Sequence, residues 1–293
     1  MPTADILVPI YNSYEETKNC IESILQHTAA GTYQLYLLDD HSPDPEIEKL
    51  TSYYAEKYKH IFSIRNEKNL GFPANVNNGF RQSANDAVVL NSDTLVTDGW
   101  LQALAETAYS QEAIAAVNPM SNYGSIAALP TQNMELNNLC SFQELTAAFQ
   151  SCKEPGFLEF PTLIGFCMYI KRTALAAVGY FDAETFQRGY GEETDWCQRA
   201  RRRGLKLVVA KGAYVHHIGA VSFGSEKEAL RRKAGIILEQ RYPGNEKELQ
   251  QFIAENHFKP MRKKMLKELK LYKKQATFLQ KIKILRHYLI NFF

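Results

Sequence analysis

Features that mark several large protein classes are missing from this chain of 293 residues. Its five cysteines are scattered and form no CxxC pair, so neither a zinc site nor a disulfide framework is indicated, and reduced thiols are expected. No apolar run approaches the roughly 18 residues that a membrane-spanning helix needs. The N-terminus also lacks the basic, apolar and small-residue order of a signal peptide. We therefore expect a cytoplasmic protein.

A glycine-rich phosphate loop is missing as well. The sequence PIYNSY occupies residues 9–14, where a nicotinamide dehydrogenase needs Gly-x-Gly-x-x-Gly after its first strand, so that class is discounted. A nucleotidyltransferase usually has such a loop, with basic residues, near its N-terminus. That class is disfavoured on the same ground but stays an alternative.

The chain does have enough apolar residues for a large core, and its charge is unevenly distributed. Hydrophobic residues make up 45% of it, and its length suits one large domain with an appendage or two domains. Residues 259–293 contain eleven Lys or Arg and one acidic residue, which leaves 23 basic and 31 acidic residues elsewhere. A basic tail on an acidic body indicates an interaction made by the tail.

Strand and helix patterns alternate through residues 4–118 and predict an α/β fold. Apolar strand patterns occupy residues 6–10, 33–38, 61–64 and 87–90, and helices are predicted at 13–27, 43–58 and 73–83. This order predicts an open, mostly parallel sheet with helices on both faces, and ligands at the carboxyl ends of the strands. Residues 119–160 are rich in Asn, Ser, Pro and Gly and are interpreted as a long excursion over the site.

Later elements are predicted from shorter patterns. Strands are expected at residues 163–171 and 205–210, and helices at 173–178, 192–203 and 225–241. Two helix starts carry a capping-box pattern, in which Ser13 is followed by Glu16 and Ser225 by Glu228.

A carboxylate follows the fourth predicted strand, in the run Asn91-Ser92-Asp93. A side chain on a rigid strand end that faces solvent suits ligand chemistry, and Asp93 is a candidate ligand for a divalent metal on a diphosphate. Asn and Asp also cap ordinary turns, and the run alone does not decide between the two interpretations.

A second cluster is GYGEETDW at residues 189–196, where glycines lead into a helix whose first turn has three carboxylates. Helix-dipole compensation accounts for one or two acidic residues there. Three together raise one another's pKa, which suits a general base. The neighbouring Trp196 is expected to offer a flat apolar surface for a sugar ring.

A third cluster is the pair His216-His217, just after the strand predicted at 205–210. Adjacent residues of an extended segment face opposite ways, so at most one histidine is expected to bind a ligand. A lone histidine is more often structural, although a neutral imidazole beside a carboxylate is also a plausible metal ligand.

These motifs together resemble the family 2 glycosyltransferases, which have the GT-A fold, over about residues 4–225. Asp39-Asp40-His41-Ser42 is similar to the family's Asp-Asp-Gly-Ser, with His41 in place of Gly. Asn69-Leu70-Gly71-Phe72, with Asn75, is similar to the Asn-Leu-Gly segment of rhamnosyltransferase-like members. Asn91-Ser92-Asp93 stands where the family has Asp-X-Asp, and Glu192-Glu193 stands where it has Glu-Asp.

The resemblance implies an inverting transfer of a sugar from a nucleoside diphosphate, with Glu193 as the base and Glu192 and Asp195 as neighbouring catalytic carboxylates. It implies Mn²⁺ or Mg²⁺ held by Asp93 and His217. The nucleotide-sugar site would comprise Pro9, Tyr11, Asn12, Asp39, Asp40, Asn69, Gly71, Asn75, Ser92 and Asp93. Within it, Asp39 would accept from the base N–H and Asp40 would lie near the ribose. The acceptor site would comprise Gly165, Tyr190 and Trp196.

The implied donor is a UDP- or dTDP-linked sugar, and the implied acceptor is a glycan or lipid-linked glycan in cell-surface polysaccharide assembly. A catalytically inactive relative that binds nucleotide sugars is the non-enzyme alternative. We expect a catalytic domain over residues 1–225, with a nucleotide half (1–118) and an acceptor half (119–225). A helical extension would follow at 226–293.

The last part of this extension, residues 257–293, has apolar residues at spacings of three and four with lysines between them, which predicts a basic amphipathic helix. It would pack on the body or on a second subunit of a homodimer, or it would bind an anionic membrane surface at the inner face of the membrane. Nucleic acid is disfavoured as a partner, because no reading motif accompanies the basic residues.

Overall fold

The computed structural model describes residues 4–123, 127–219, 226–270 and 280–285. The capping box expected at Ser225 and parts of the basic tail, residues 271–279 and 286–293, lie outside the described residues.

The first third of the chain alternates strands and helices in the predicted order. Its elements are β1 (Ala4–Ile10), α1 (Tyr14–His27), β2 (Tyr33–Asp39), α2 (Pro45–Lys57), β3 (Ile61–Arg65), α3 (Phe72–Gln82) and β4 (Asp86–Leu90). The four strands pair in parallel, β1 with both β2 and β4, and β2 with β3. Because β1 lies between β2 and β4, the chain order reverses there, and α/β sheets bind ligands at such switch points.

The later elements complete the sheet and cover it. They are β5 (Thr94–Val96), α4 (Trp100–Tyr109), β6 (Ile114–Met120), α5 (Met134–Asn137), α6 (Phe142–Cys152), β7 (Phe157–Glu159), β8 (Cys167–Ile170), α7 (Arg172–Val178), α8 (Glu192–Arg201), β9 (Lys206–His217), α9 (Glu226–Arg241), α10 (Asn245–Ala254) and α11 (Lys259–Leu269). Within the described ranges, one sheet has the order β3-β2-β1-β4-β8-β6-β9-β5, with β7 on β9.

The sheet is mixed, because β8 runs antiparallel to both β4 and β6 and β5 runs antiparallel to β9. Apolar clusters cover its two faces, and alternate residues of β1 enter opposite clusters: Leu7 one, Ile6 and Val8 the other. The fold is therefore the expected GT-A-like α/β arrangement, with an antiparallel strand in the middle of the sheet.

Three local expectations are corrected. Ser13 has a left-handed φ of 60° and caps α1 through its backbone oxygen, which accepts from Thr17 N, so the side-chain capping box is not formed. The strand expected from residue 163 begins at Cys167. The strand expected to end at residue 210 continues as β9 to His217, so His217 lies within a strand and not after one.

The C-terminal helix α11 packs against α6, with Met261, Met265 and Leu266 buried in the same apolar cluster as the sheet residues. Lys264 on its outer side pairs with Glu154 at 2.7 Å. Of the alternatives for the basic tail, packing on the body therefore holds for α11. In the part of the chain that the structure covers, no helix is long and apolar enough to cross a bilayer.

Candidate active site

Asp93 and His217 meet where β4 ends. Asn91 N donates to Phe166 O at 2.8 Å as the chain leaves β4, and β5 then pairs with β9 so that Thr94 lies opposite His217. This register places Asp93 Oδ1 3.1 Å from His217 Nε2, and both side chains are largely buried. His216 faces the other way and packs edge-on against Phe142, as strand alternation requires.

The Asp93–His217 pair fits a divalent cation that is shared with a ligand. Asp93 Oδ1 and His217 Nε2 lie 3.1 Å apart, in direct contact, and a carboxylate oxygen and an imidazole nitrogen are both ligand types that Mn²⁺ and related ions accept. Among the described residues, no group of three or more His, Cys, Asp or Glu side chains could hold a metal. The protein thus offers one carboxylate and one imidazole, and phosphate and water oxygens would supply the remaining ligands.

Glu192 and Glu193 open α8 behind a left-handed Gly191. Glu192 is 4% exposed, and its Oε2 has no hydrogen-bond partner among the described residues. Burial, and then the charge of Glu193, raises the pKa of Glu192 well above its ordinary value. Burial also raises the pKa of Glu193, whose Oε2 accepts from Gly191 N at 3.2 Å. The first turn therefore contains two carboxyl groups suited to taking up a proton.

Residues 162–166 connect this turn with the Asp93–His217 pair. The Phe166 ring stacks on the His217 imidazole at 5.1 Å between centroids. One residue earlier, a Cβ placed on Gly165 would lie 3.8 Å from Glu193 Cβ. The carboxylate–histidine pair and Glu193 therefore contact neighbouring residues of one short segment. Tyr190 is also near α8, with the Arg231 guanidinium 5.3 Å from its ring centre.

The structure corrects the roles expected for Trp196 and Asp195. Trp196 is fully buried and its Nε1 donates to Gly179 O, so its ring has no surface for an acceptor sugar. Asp195 is 1% exposed and accepts from Arg199, Arg241 and Tyr242. These contacts join α8 to α9 and make Asp195 a structural ion-pair residue, not a catalytic one.

On the nucleotide side, Asp39 and Asp40 hold loops. Asp39 is fully buried, accepts from Ser42 N and pairs with Arg65, so a base N–H would have to share this carboxylate. Asp40 accepts from Asn66 Nδ2, Leu70 N and Gly71 N, each at 2.8 Å. Asp40 is 4% exposed and fixes the loop after β3. The expectation that it lies near the ribose is therefore corrected.

The other nucleotide-side residues divide into buried and exposed ones. Pro9 is buried in β1, and Asn75 is 2% exposed and donates to Leu38 O. Both were expected to contact the nucleotide sugar, and the structure leaves neither side chain exposed to a ligand. Tyr11 is 48% exposed and Asn69 is exposed, so both can contact a ligand. Asn12 and Ser92 are half-buried.

Gly71 permits the closest approach in this region. Its φ is +84°, and a Cβ there would lie 1.9 Å from Gln187 O. The nucleotide-side loop and the loop that leads to Glu192 therefore touch through their backbones at Gly71.

The sequence did not single out three buried asparagines, two of which hold segments of the site. Each side-chain amide pairs with both the N–H and the C=O of one distant residue: Asn77 with Phe181, Asn118 with Ile164, and Asn122 with His217. We call them the asparagine clamps. Asparagine is common in turns, so the sequence offered no signal that distinguished these three.

Comparison with known proteins shows the family and the fold of the chain. The family model for Glycosyl transferase family 2 matches residues 5–179. An uncharacterized protein of Mycobacterium tuberculosis is 26% identical over 219 residues, 73% of each chain. An N-acetylglucosaminyltransferase of Mesorhizobium japonicum is 24% identical over 216 residues, which are 73% of this chain and 48% of that protein.

Two solved structures share the fold at 13% sequence identity. The structure of GalNAc-T7 with UDP, GalNAc and Mn²⁺ has a TM-score of 0.62, and the match covers 87% of this chain and 55% of the GalNAc-T7 chain. The mannosyltransferase PcManGT of Pyrobaculum calidifontis, in complex with GDP-Man and Mn²⁺, has a TM-score of 0.60, with 100% of this chain and 81% of that chain covered.

Proposed function

Since the chain belongs to glycosyltransferase family 2, we propose that it is an inverting, metal-dependent enzyme that moves a sugar from a nucleoside-diphosphate sugar to an acceptor hydroxyl. The observation that carries the proposal is that the Asp93–His217 pair and Glu193 contact neighbouring residues, Phe166 and Gly165, of one short segment. Contact of both groups with this one segment supports an anion-neutralising site and a proton acceptor that serve the same substrate.

In this mechanism Glu193, as carboxylate, takes the proton of the acceptor hydroxyl while that oxygen attacks the anomeric carbon. The bond to the nucleoside diphosphate breaks on the opposite side of the sugar, so the configuration inverts. Glu192 is the more buried neighbour, and its proton affinity depends on the charge of Glu193. Asp93 and His217 would hold Mn²⁺ or Mg²⁺, which would supply positive charge for the departing diphosphate.

A UDP- or dTDP-linked donor and a glycan or lipid-linked acceptor are the proposed substrates. Two similar structures were solved with UDP and GDP-Man. A segment of 86 residues is 29% identical to an undecaprenyl-phosphate 4-deoxy-4-formamido-L-arabinose transferase of Pectobacterium carotovorum. We place the enzyme in the cytoplasm, at the inner face of the membrane, in assembly of a cell-surface glycan.

The test begins with hydrolysis of UDP- and dTDP-sugars in the presence of Mn²⁺ and without acceptor, which identifies the donor. Glu193→Gln should then abolish transfer while calorimetry shows donor binding close to that of the wild type. Glu184→Gln, an exposed change in the loop before α8, is the matched control and should leave both unchanged. Loss of donor binding in Glu193→Gln would contradict the base assignment. Binding of nucleotide sugars without any turnover by the wild type would favour the inactive relative.

A further inference from the structure

Asn122 contacts the backbone of a candidate metal ligand. Its Oδ1 accepts from His217 N at 2.7 Å and its Nδ2 donates to His217 O at 3.0 Å. Pairing of β6 with β9 ends at Met120 and Tyr214. His217 lies three residues beyond Tyr214 on β9. There the side-chain amide of Asn122 makes the two hydrogen bonds that a paired residue of β6 would make, so β9 stays hydrogen-bonded on this edge as far as His217.

Asn122 is itself held from several directions. It is 1% exposed, and its backbone oxygen accepts from Asn137 Nδ2 at 2.6 Å. The preceding Ser121 O accepts from Leu129 N at 2.7 Å. In the same segment, Ala128 O accepts from the buried Arg262 of α11 at 3.0 Å. Hydrogen bonds therefore link α11 to residues 121–129 and, through them, to the clamp at His217.

The His217 ring has little freedom once its backbone is fixed. It stacks on Phe166 at 5.1 Å and meets Tyr123 edge-on at 4.8 Å. A shift of the His217 backbone would change the position of the imidazole relative to these two rings and to Asp93 Oδ1.

We propose that Asn122 is a positioning residue that fixes the His217 imidazole beside Asp93 for the divalent cation. The cation part of this inference rests on the proposed function, whereas the positioning part rests on the clamp alone. Partners that hydrogen-bond a ligating side chain contribute about 10- to 100-fold to metal affinity in other sites. Asn122 bonds the backbone of His217 and not its ring, so an effect at the lower end of this range is expected.

The test uses the full chain and two variants. Asn122→Ala removes both bonds to His217, whereas Asn122→Asp keeps the acceptor for His217 N and removes the donor to His217 O. NMR of histidine-labelled protein should show a displaced His217 ring signal, assigned with His217→Gln, in both variants. Mn²⁺ titration with UDP present, followed by electron paramagnetic resonance, should show about 10-fold weaker binding for Asn122→Ala and a smaller loss for Asn122→Asp.

Asn77→Ala is the matched control, because Asn77 makes the same pair of bonds, at 2.9 and 3.0 Å, to Phe181. It should lower the melting temperature as Asn122→Ala does, and leave the His217 signal and Mn²⁺ affinity unchanged. The inference would be overturned if Asn77→Ala and Asn122→Ala changed the His217 signal and the Mn²⁺ affinity equally, or if the His217 signal did not move in Asn122→Ala. Absence of Mn²⁺ binding by the wild type would instead refute the metal part of the proposed function, while the NMR comparison still decides the role of Asn122.

Discussion

Individual carboxylates of this chain differ in what they contact, although they occur in similar sequence contexts. Asp93 faces a histidine, and Glu193 lies at a half-buried helix start. Asp40 and Asp195 follow the same kinds of pattern, yet their oxygens are bound by backbone amides or arginines. The candidate chemistry therefore depends on which acidic side chains remain available to a ligand.

Asp93→Ala should abolish the activation of donor hydrolysis by Mn²⁺, because this run has no other carboxylate for the cation. We expect wild-type activity to fall in EDTA and to return with Mn²⁺, and the variant to show no such return. Asp98→Ala is the control, since Asp98 is exposed just beyond β5, where it pairs with His27. Full wild-type activity in EDTA would exclude the metal role.

Glu192→Gln should stabilise the protein at alkaline pH. The pKa of Glu192 is raised by burial and by the charge of Glu193, so the folded chain binds this proton more tightly than the unfolded chain does. Unfolding free energy then decreases as the pH rises from about 4.5 through the folded pKa. Because the variant lacks this titration, its melting temperature should exceed that of the wild type at pH 8 and match it near pH 4.5. A difference that does not change with pH would contradict the assignment.

Elements near the N-terminus were predictable because their signals are local. Apolar runs bounded by turn residues identified β1 to β4, and Pro73 near the start of α3 matched its preference for the first helical turn. The extension of β9 to His217 was not predictable, because it depends on pairing with β5. The burial of Trp196 was not predictable either, because it depends on the packing of α8 against α7 and the sheet.

For the candidate site, motif order singled out Asp93, Glu193 and His217, and the structure brings Asp93 into contact with His217. The clamps by Asn118 and Asn122 were not predictable, because each bond joins residues more than 40 positions apart in the chain. A sequence pattern describes neighbours along the chain, whereas these amides act on segments that only the fold brings together.

Gly71→Ala tests the contact between the nucleotide-side loop and the loop before α8. The added Cβ would lie 1.9 Å from Gln187 O in a backbone with φ of +84°, so one of the two loops must move. Urea unfolding should show a loss of more than the roughly 1–3 kcal/mol expected for a side chain in this positive-φ backbone alone, and donor affinity should fall. Gly31→Ala is the control, with φ of +82° and no atom within 4 Å of the new Cβ. Equal losses would show that the contact at Gln187 is unimportant.

At the scale of the whole molecule, the helices after residue 225 contribute side chains to the core and contact segments that support the candidate site. Residues of α11 lie in the apolar cluster that also contains residues of β1, β4 and β9. Arg241 of α9 binds Asp195 of α8, and Arg262 of α11 binds the segment that supports Asn122. We therefore propose that the extension, predicted as a separate region after residue 225, unfolds together with the catalytic part.

Charge distribution leads to a prediction about membrane binding. Residues 259–293 are strongly basic and the rest of the chain is acidic, so an anionic surface would attract the tail and repel the body. The apolar side of α11 is buried, while Lys267 on the helix and Lys270, the residue after it, are exposed. Attraction of this kind amounts to about 1 kcal/mol per lysine near an anionic bilayer and is screened by salt.

The full chain should therefore float with vesicles that contain anionic lipid, and this binding should be lost in high salt and with neutral vesicles. Lys267→Glu with Lys270→Glu should reduce flotation strongly. The matched control is Lys49→Glu with Lys57→Glu on α2, which changes the net charge equally at another surface and should have little effect. Truncation before α11 is unsuitable as a test, because it removes Met265 and Leu266 from the core. Equal flotation of the two double variants would show that α11 does not provide the membrane contact.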